Sequence, residues 1–191
     1  VRDGLVGGGA IYNEKSTAQI TEIIGNYIDN YLVSKTGAAY GGAIINYGKA
    51  EIDKIEGKFI GNYLISNLNM NRTTSSGGGA IHNRGSKINS ISGVFINNFV
   101  KNESGISAAI GGAIMNFNSG AEIGIINANF YNNYVYNKDG FYRGGAIEST
   151  AARVGDDKQS INKITGNIIG NYAQSVNNYI LYTYPNPRDS R

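Results

Sequence analysis

Residues able to carry chemistry are few in this chain. His82 is the only histidine, cysteine is absent, and 14 acidic residues are scattered among 17 Lys and Arg. A nucleophilic triad would need a Ser-Asp or Cys partner for His82, and none is apparent, so His82 reads as a surface residue. Asp156 and Asp157 stand together in "ARVGDDKQS", beside Arg153 and Lys158. Those residue types suit a calcium or sugar site, but a solvated loop is the default reading. "NRGSK" (Asn83 to Lys87) lacks the Gly-x4-Gly-Lys-Ser/Thr order of a phosphate loop. Without cysteine there are no disulfides and no thiolate metal sites, and no cofactor is expected. The net charge of +3 comes from dispersed Lys and Arg, which leaves no nucleic-acid footprint. No apolar run approaches the ~20 residues that cross a bilayer.

More telling is a pair of residue types that recurs. Asn26, Asn62, Asn98, Asn133 and Asn171 are each followed by an aromatic residue, namely Tyr27, Tyr63, Phe99, Tyr134 and Tyr172. An asparagine amide both donates and accepts, so like asparagines stacked in space can form a hydrogen-bonded ladder. Stacked rings would stabilise neighbouring strands by roughly 0.5–1.5 kcal/mol per pair beyond burial. They would also supply a rigid contact face for a protein or a sugar. The structural ladder is the favoured reading of the stripe, and a binding face is the sharper one.

Such columns require elements that bring distant residues into register. Gly-Gly pairs begin at Gly8, Gly41, Gly78, Gly111 and Gly144, at spacings of 33, 37, 33 and 33. They open the segments "GGAIYN", "GGAIIN", "GGAIHN", "GGAIMN" and "GGAIES". A second landmark follows each: "IIGNY" at Ile23, "FIGNY" at Phe59, "FINNF" at Phe95, "FYNNY" at Phe130 and "IIGNY" at Ile168. Two landmarks in fixed order, five times, mark a solenoid. The unit is rich in Gly, Asn, Ile and Tyr, and the first two disfavour helix interiors. "EIDKIEGKFI" and "KINSISGVFI" are dominated by β-branched and aromatic residues. Short strands in tandem imply a parallel β-solenoid. All 191 residues are read as one domain of about five coils of ~33 residues, a piece of a longer chain.

Each coil is expected to have three strands and a variable closing loop. Ile11, Ile44, Ile81, Ile114 and Ile147 are expected in one inward file. The next position (Tyr12, Ile45, His82, Met115, Glu148) is too mixed for a core and is expected to face solvent. Before the second Asn, only Gly or Asn occurs (Gly25, Gly61, Asn97, Asn132, Gly170), which predicts positive φ there. Ile23, Phe59, Phe95, Phe130 and Ile168 are expected in the core. The loops ahead of each "GGAI", such as "LVSKTGAAY" and "KNESGISAAIG", vary freely and are where a binding surface would lie.

"GGAIYN" and "GGAIIN", with "FIGN" (Phe59 to Asn62), "FINN" (Phe95 to Asn98) and "FYNN" (Phe130 to Asn133), carry a resemblance. The chain resembles the chlamydial polymorphic membrane proteins and bacterial surface proteins with like units, over roughly Gly7 to Asn178. The resemblance implies a right-handed parallel β-helix that serves as the passenger of a type V autotransporter. Such a passenger is displayed extracellularly and held at the outer membrane by a C-terminal barrel lying outside this sequence. It further implies an adhesin whose partner is a host-cell protein or glycan receptor, without catalysis. The alternatives from the fold are a polysaccharide lyase or hydrolase, which needs clustered carboxylates with Arg or Lys on one face, and a structural spacer or filament module.

Overall fold

The computed structural model describes residues 6–35, 37–67, 75–103, 107–150, 159–175 and 179–180. It is all-β, with four sheets running side by side along one solenoid axis, parallel throughout except where Tyr179–Ile180 pairs antiparallel with Tyr172–Ser175 at one sheet's edge. Each of the first four units contributes one strand to every sheet, and the fifth differs only in that its long strand is split into Ser160–Thr165 and Ile168–Ile169, so the coil has four strands where three were expected. In the second unit these are Ala39–Tyr40, Ile44–Tyr47, Glu51–Ile60 and Tyr63–Ser66. We call their sheets the short, motif, long and aromatic sheets. The extra strand comes from the end of the variable loop. The long strand joins the second expected strand to the first two residues of the third, as in Glu51–Ile60.

Like stacks on like. Ile11, Ile44, Ile81, Ile114 and Ile147 are aligned rung by rung in the motif sheet. They face Ile52, Ile55 and Phe59 of the long sheet and the equivalents of those residues in the other rungs, in one continuous core. The inward residues of the long strand fall at i, i+3 and i+7. The odd step from Ile52 to Ile55 is accommodated where the register skips Asp53 and Asn89, letting both isoleucines point inward.

A second, smaller core lies between the short and aromatic sheets, built from Ala39, Ala109, Leu64, Val100, Val135 and Ala173. The Gly-Gly pair forms the waist between the two cores. Gly41 has φ of 64°, and a side chain there would strike the Ile44 carbonyl. A side chain on Gly42 would strike Gly79 of the next rung and the backbone of Tyr63. The two glycines therefore do different jobs: the first turns the chain, and the second lets it pass against the start of the aromatic strand.

The first copy of the second landmark is displaced from its expected place. Tyr27, not Ile23, aligns with Phe59, and Ile23 aligns with Ile55. The equivalent of "FIGNY" is thus "YIDNY", Tyr27 to Tyr31. Positive φ falls on Asp29, Gly61, Asn97, Asn132 and Gly170, while Gly25 pairs within the long strand opposite Gly57. Asp, like Asn, tolerates the left-handed region through local side-chain hydrogen bonding.

Candidate functional site

Two asparagine ladders run the length of the solenoid. In the motif sheet, Asn13 Nδ2 donates to Asn46 Oδ1 at 2.9 Å, Asn46 to Asn83 at 3.0 Å and Asn83 to Asn116 at 2.8 Å; Asn116 donates to Ser149 Oγ at 3.2 Å. Next to the aromatic sheet, Asn62 donates to Asn98 at 2.9 Å, Asn98 to Asn133 at 2.8 Å and Asn133 to Asn171 at 2.8 Å. The first member of this ladder is Asn30, at 2.8 Å from Asn62 Oδ1, and not the expected Asn26. Each Oδ1 also accepts the backbone N–H of the preceding rung's Asn, as in Asn62 N–H to Asn98 at 3.0 Å. From Asn62 onward each Nδ2 also donates to a carbonyl, as in Asn98 to Phe59 at 2.9 Å. The ladder satisfies the polar groups that the bend leaves behind.

The aromatic column is Tyr31, Tyr63, Phe99, Tyr134 and Tyr172, with ring centroids 4.8–5.1 Å apart and planes within 8°. Tyr27 instead stacks on Phe59 at 4.9 Å, in the inner file with Phe95 and Phe130. Burial raises the Tyr134 phenol above its ordinary range, and Tyr172 adds to this. Because the rings cover one another, the column offers edges and hydroxyls along its length. That geometry suits contact with protein side chains better than the face-on stacking of a sugar. Just across the bend runs a second outward column, Ile28, Ile60, Ile96, Tyr131 and Ile169. Tyr31, Ile28 and Ile169 are 56%, 53% and 57% exposed, and the members between them are half-buried. Sequence reasoning missed this file, although its period matches that of its neighbours.

The supposedly solvent-facing slot of the motif is buried. Ile45, His82 and Met115 are inaccessible, and only Tyr12 of the first rung is exposed. The outer face of the motif sheet meets the short sheet in a corner. There Ile45 packs with Ala38, Tyr40 and Tyr47, and Met115 with Ala108, Ile110 and Phe117. The mixture at this slot reflects a cover that itself changes from rung to rung. The covering residues belong to loops that were read as binding surface.

His82 lies at the centre of this corner. Its Nδ1 is 3.0 Å from the Gly77 carbonyl oxygen, and Nε2 has no hydrogen-bond partner. Burial pulls its pKa from 6.5 to about 3, with the Gly77 carbonyl opposing the shift and the Arg84 charge adding to it. The Arg84 guanidinium lies 5.0 Å from the Tyr40 ring and 5.6 Å from those of Tyr47 and Phe117, a cation within an aromatic wall.

Charged groups gather on the outer face of the long sheet. Lys54 is 2.8 Å from Glu56 and 3.7 Å from Glu22, and Lys87 is 3.6 Å from Glu51. Asn89 Nδ2 donates to both Glu51 and Asp53. These are open, solvated pairs. Among the described residues, no three His, Cys, Asp or Glu are placed to hold a metal ion. A recess of about 610 Å³ lies at the last rung, lined by Arg143, Ile147, Glu148, Ile161, Ile164 and Ile168. Its apolar floor is the end of the core files. Burial raises the Glu148 carboxyl there, and Arg143 opposes the shift. Arg153, Asp156, Asp157 and Lys158 lie outside the described residues.

No protein-family model matches this chain, and no curated protein or solved structure does either.

Proposed function

We propose that the chain is a section of a bacterial cell-surface passenger of the type V autotransporter kind, a right-handed β-helix whose work is adhesion. One observation carries this reading: an outward apolar and aromatic stripe, Ile28 to Ile169 beside Tyr31 to Tyr172, follows the solenoid from first rung to last. A continuous apolar stripe that stays partly open to solvent marks contact with a partner more often than scattered apolar residues do. The ring edges favour a protein receptor on the host cell over a glycan. Repeated "GGAI" and "FxxN" units, resembling those of surface-displayed passengers, point the same way.

The test is binding of the purified chain to host cells, to their extracted surface proteins and to a glycan array. Substitutions Tyr63→Ser with Ile96→Ser should abolish cell binding while the fold survives. Failure of the intact protein to bind any of the three would instead favour a spacer or filament module. The enzyme reading rests on Glu51 and Asp53, which Asn89 draws together beside Lys87. Release of oligosaccharide from extracellular polysaccharide, lost in Asp53→Asn, would make that reading the better one.

A further inference from the structure

The covered corner holds the only imidazole of the chain, in surroundings that disfavour a second proton on it. With the Gly77 carbonyl facing Nδ1, the proton of the neutral ring resides there, and Nε2 is left bare. The Tyr40 ring of the short sheet lies 4.6 Å from the imidazole and the Phe117 ring of the next rung 6.2 Å away. Tyr47 of the preceding rung and Arg84 of the same strand complete the titratable and charged groups around it. The six strands that build this corner are Ala39–Tyr40, Ile44–Tyr47, Ser75–Gly77, Ile81–Arg84, Ala108–Ile110 and Ile114–Phe117, and they contain no acidic residue. A proton on Nε2 would thus create a buried cation beside Arg84 with no acidic residue on these strands to meet it.

We propose that this corner is an acid-operated catch: protonation of His82 frees the short strand Ser75–Gly77 from the motif sheet and bares the His82 ring and the flank of Met115 that lies against Gly77. The opening is local. The two inner cores consist of aliphatic and aromatic side chains, and the ladders consist of amides, so falling pH acts on neither through a titrating group there. The short strand is the element that gives way, because it is three residues long and lies against the ring that must reach water once it is charged. The sign follows from the imidazole's shift. Its pKa is depressed in the folded protein, from 6.5 to about 3, so the corner is fully held above pH 6.5 and loses stability as pH falls from there towards 3.

Hydrogen exchange on the full chain between pH 7 and pH 3, corrected for intrinsic rates, tests this directly. Exchange at Gly77 and Gly78 should accelerate by about an order of magnitude or more as pH falls, while the Leu64 and Phe95 segments keep their protection. Binding of an apolar dye should rise over the same interval. In His82→Met, which copies the residue of the following rung, both responses should be flat. Unchanged protection at Gly77 down to pH 3, or equal opening in His82→Met, would overturn the proposal. Should that variant fail to fold, the His82 ring signals of the wild type, unambiguous because no other histidine exists, serve in its place. Titration of the ring near pH 6.5 with the strand still protected would equally overturn it.

Discussion

Ile44 and Ile45 are neighbours in one strand, are buried to the same degree, and belong to columns of opposite character. The inner column repeats isoleucine in every rung. The outer one changes from tyrosine to isoleucine, histidine, methionine and glutamate. Inside, each side chain packs against the same side chain above and below and against a long sheet that is itself repeated, so one shape serves throughout. Outside, Ile45, His82 and Met115 are each covered by a short strand of different sequence, so each of these rungs needs its own fit. Uniformity in a solenoid column therefore reports the uniformity of what packs on it, and not burial alone.

The comparison can be broken first at the ladder. Asn98→Leu removes the bonds to Asn62, Asn133 and the Phe59 carbonyl, and strands several buried polar groups. We expect a loss on the order of 4 kcal/mol in urea unfolding, from groups costing about 1–3 kcal/mol each. Asn167→Ala, in an exposed imitation of the ladder with Asn129, should cost under about 0.5 kcal/mol by the same measurement. Next comes the inner file against the outer. Ile81→Ala should cost roughly 2–5 kcal/mol. Met115→Leu, equally buried but in the tailored column, should cost under about 1.5 kcal/mol.

Tyr63→Ala should lower stability by about 1–2 kcal/mol through two lost ring contacts, with Tyr31 and with Phe99. The smallest effect belongs to Glu148. Burial raises its pKa above the ordinary 4.5, so the folded state holds the proton more tightly than the unfolded chain. Stability then falls as pH rises through that value, and Glu148→Gln should raise the urea midpoint slightly at pH 7. Below pH 4.5 the gain should vanish.

The period, the inward isoleucine file and four of the five ladder asparagines were legible in the sequence because stacking imposes one residue type on each of those columns. The first unit was not. "IIGNY" at Ile23 copies the landmark by letter, but it stands 15 residues after Gly8, whereas Phe59, Phe95 and Phe130 stand 18, 17 and 19 after their glycines. Tyr27 stands 19 after Gly8, so spacing would have chosen "YIDNY", with Tyr serving for Phe and Asp for Gly. The buried outer slot was hidden for a different reason. Its cover, Ala38, Tyr40, Ala108 and Ile110, sits in segments without repetition, and periodicity says nothing about a residue whose partner is not periodic. The small column of Ser34, Ser66, Asn102, Asn137 and Ser175 is hidden likewise, its mixture of two polar types concealing a shared buried place.

The amides of both ladders all hand their proton onward, from one rung to the next. This gives the rod a grain, like timber: a further unit laid in the same sense repeats bonds already made, whereas one laid in reverse would set donor against donor. Lengthening such a protein by duplicating its unit thus needs no new chemistry. A chain emerging unit by unit can also be ordered against the rung that came before it.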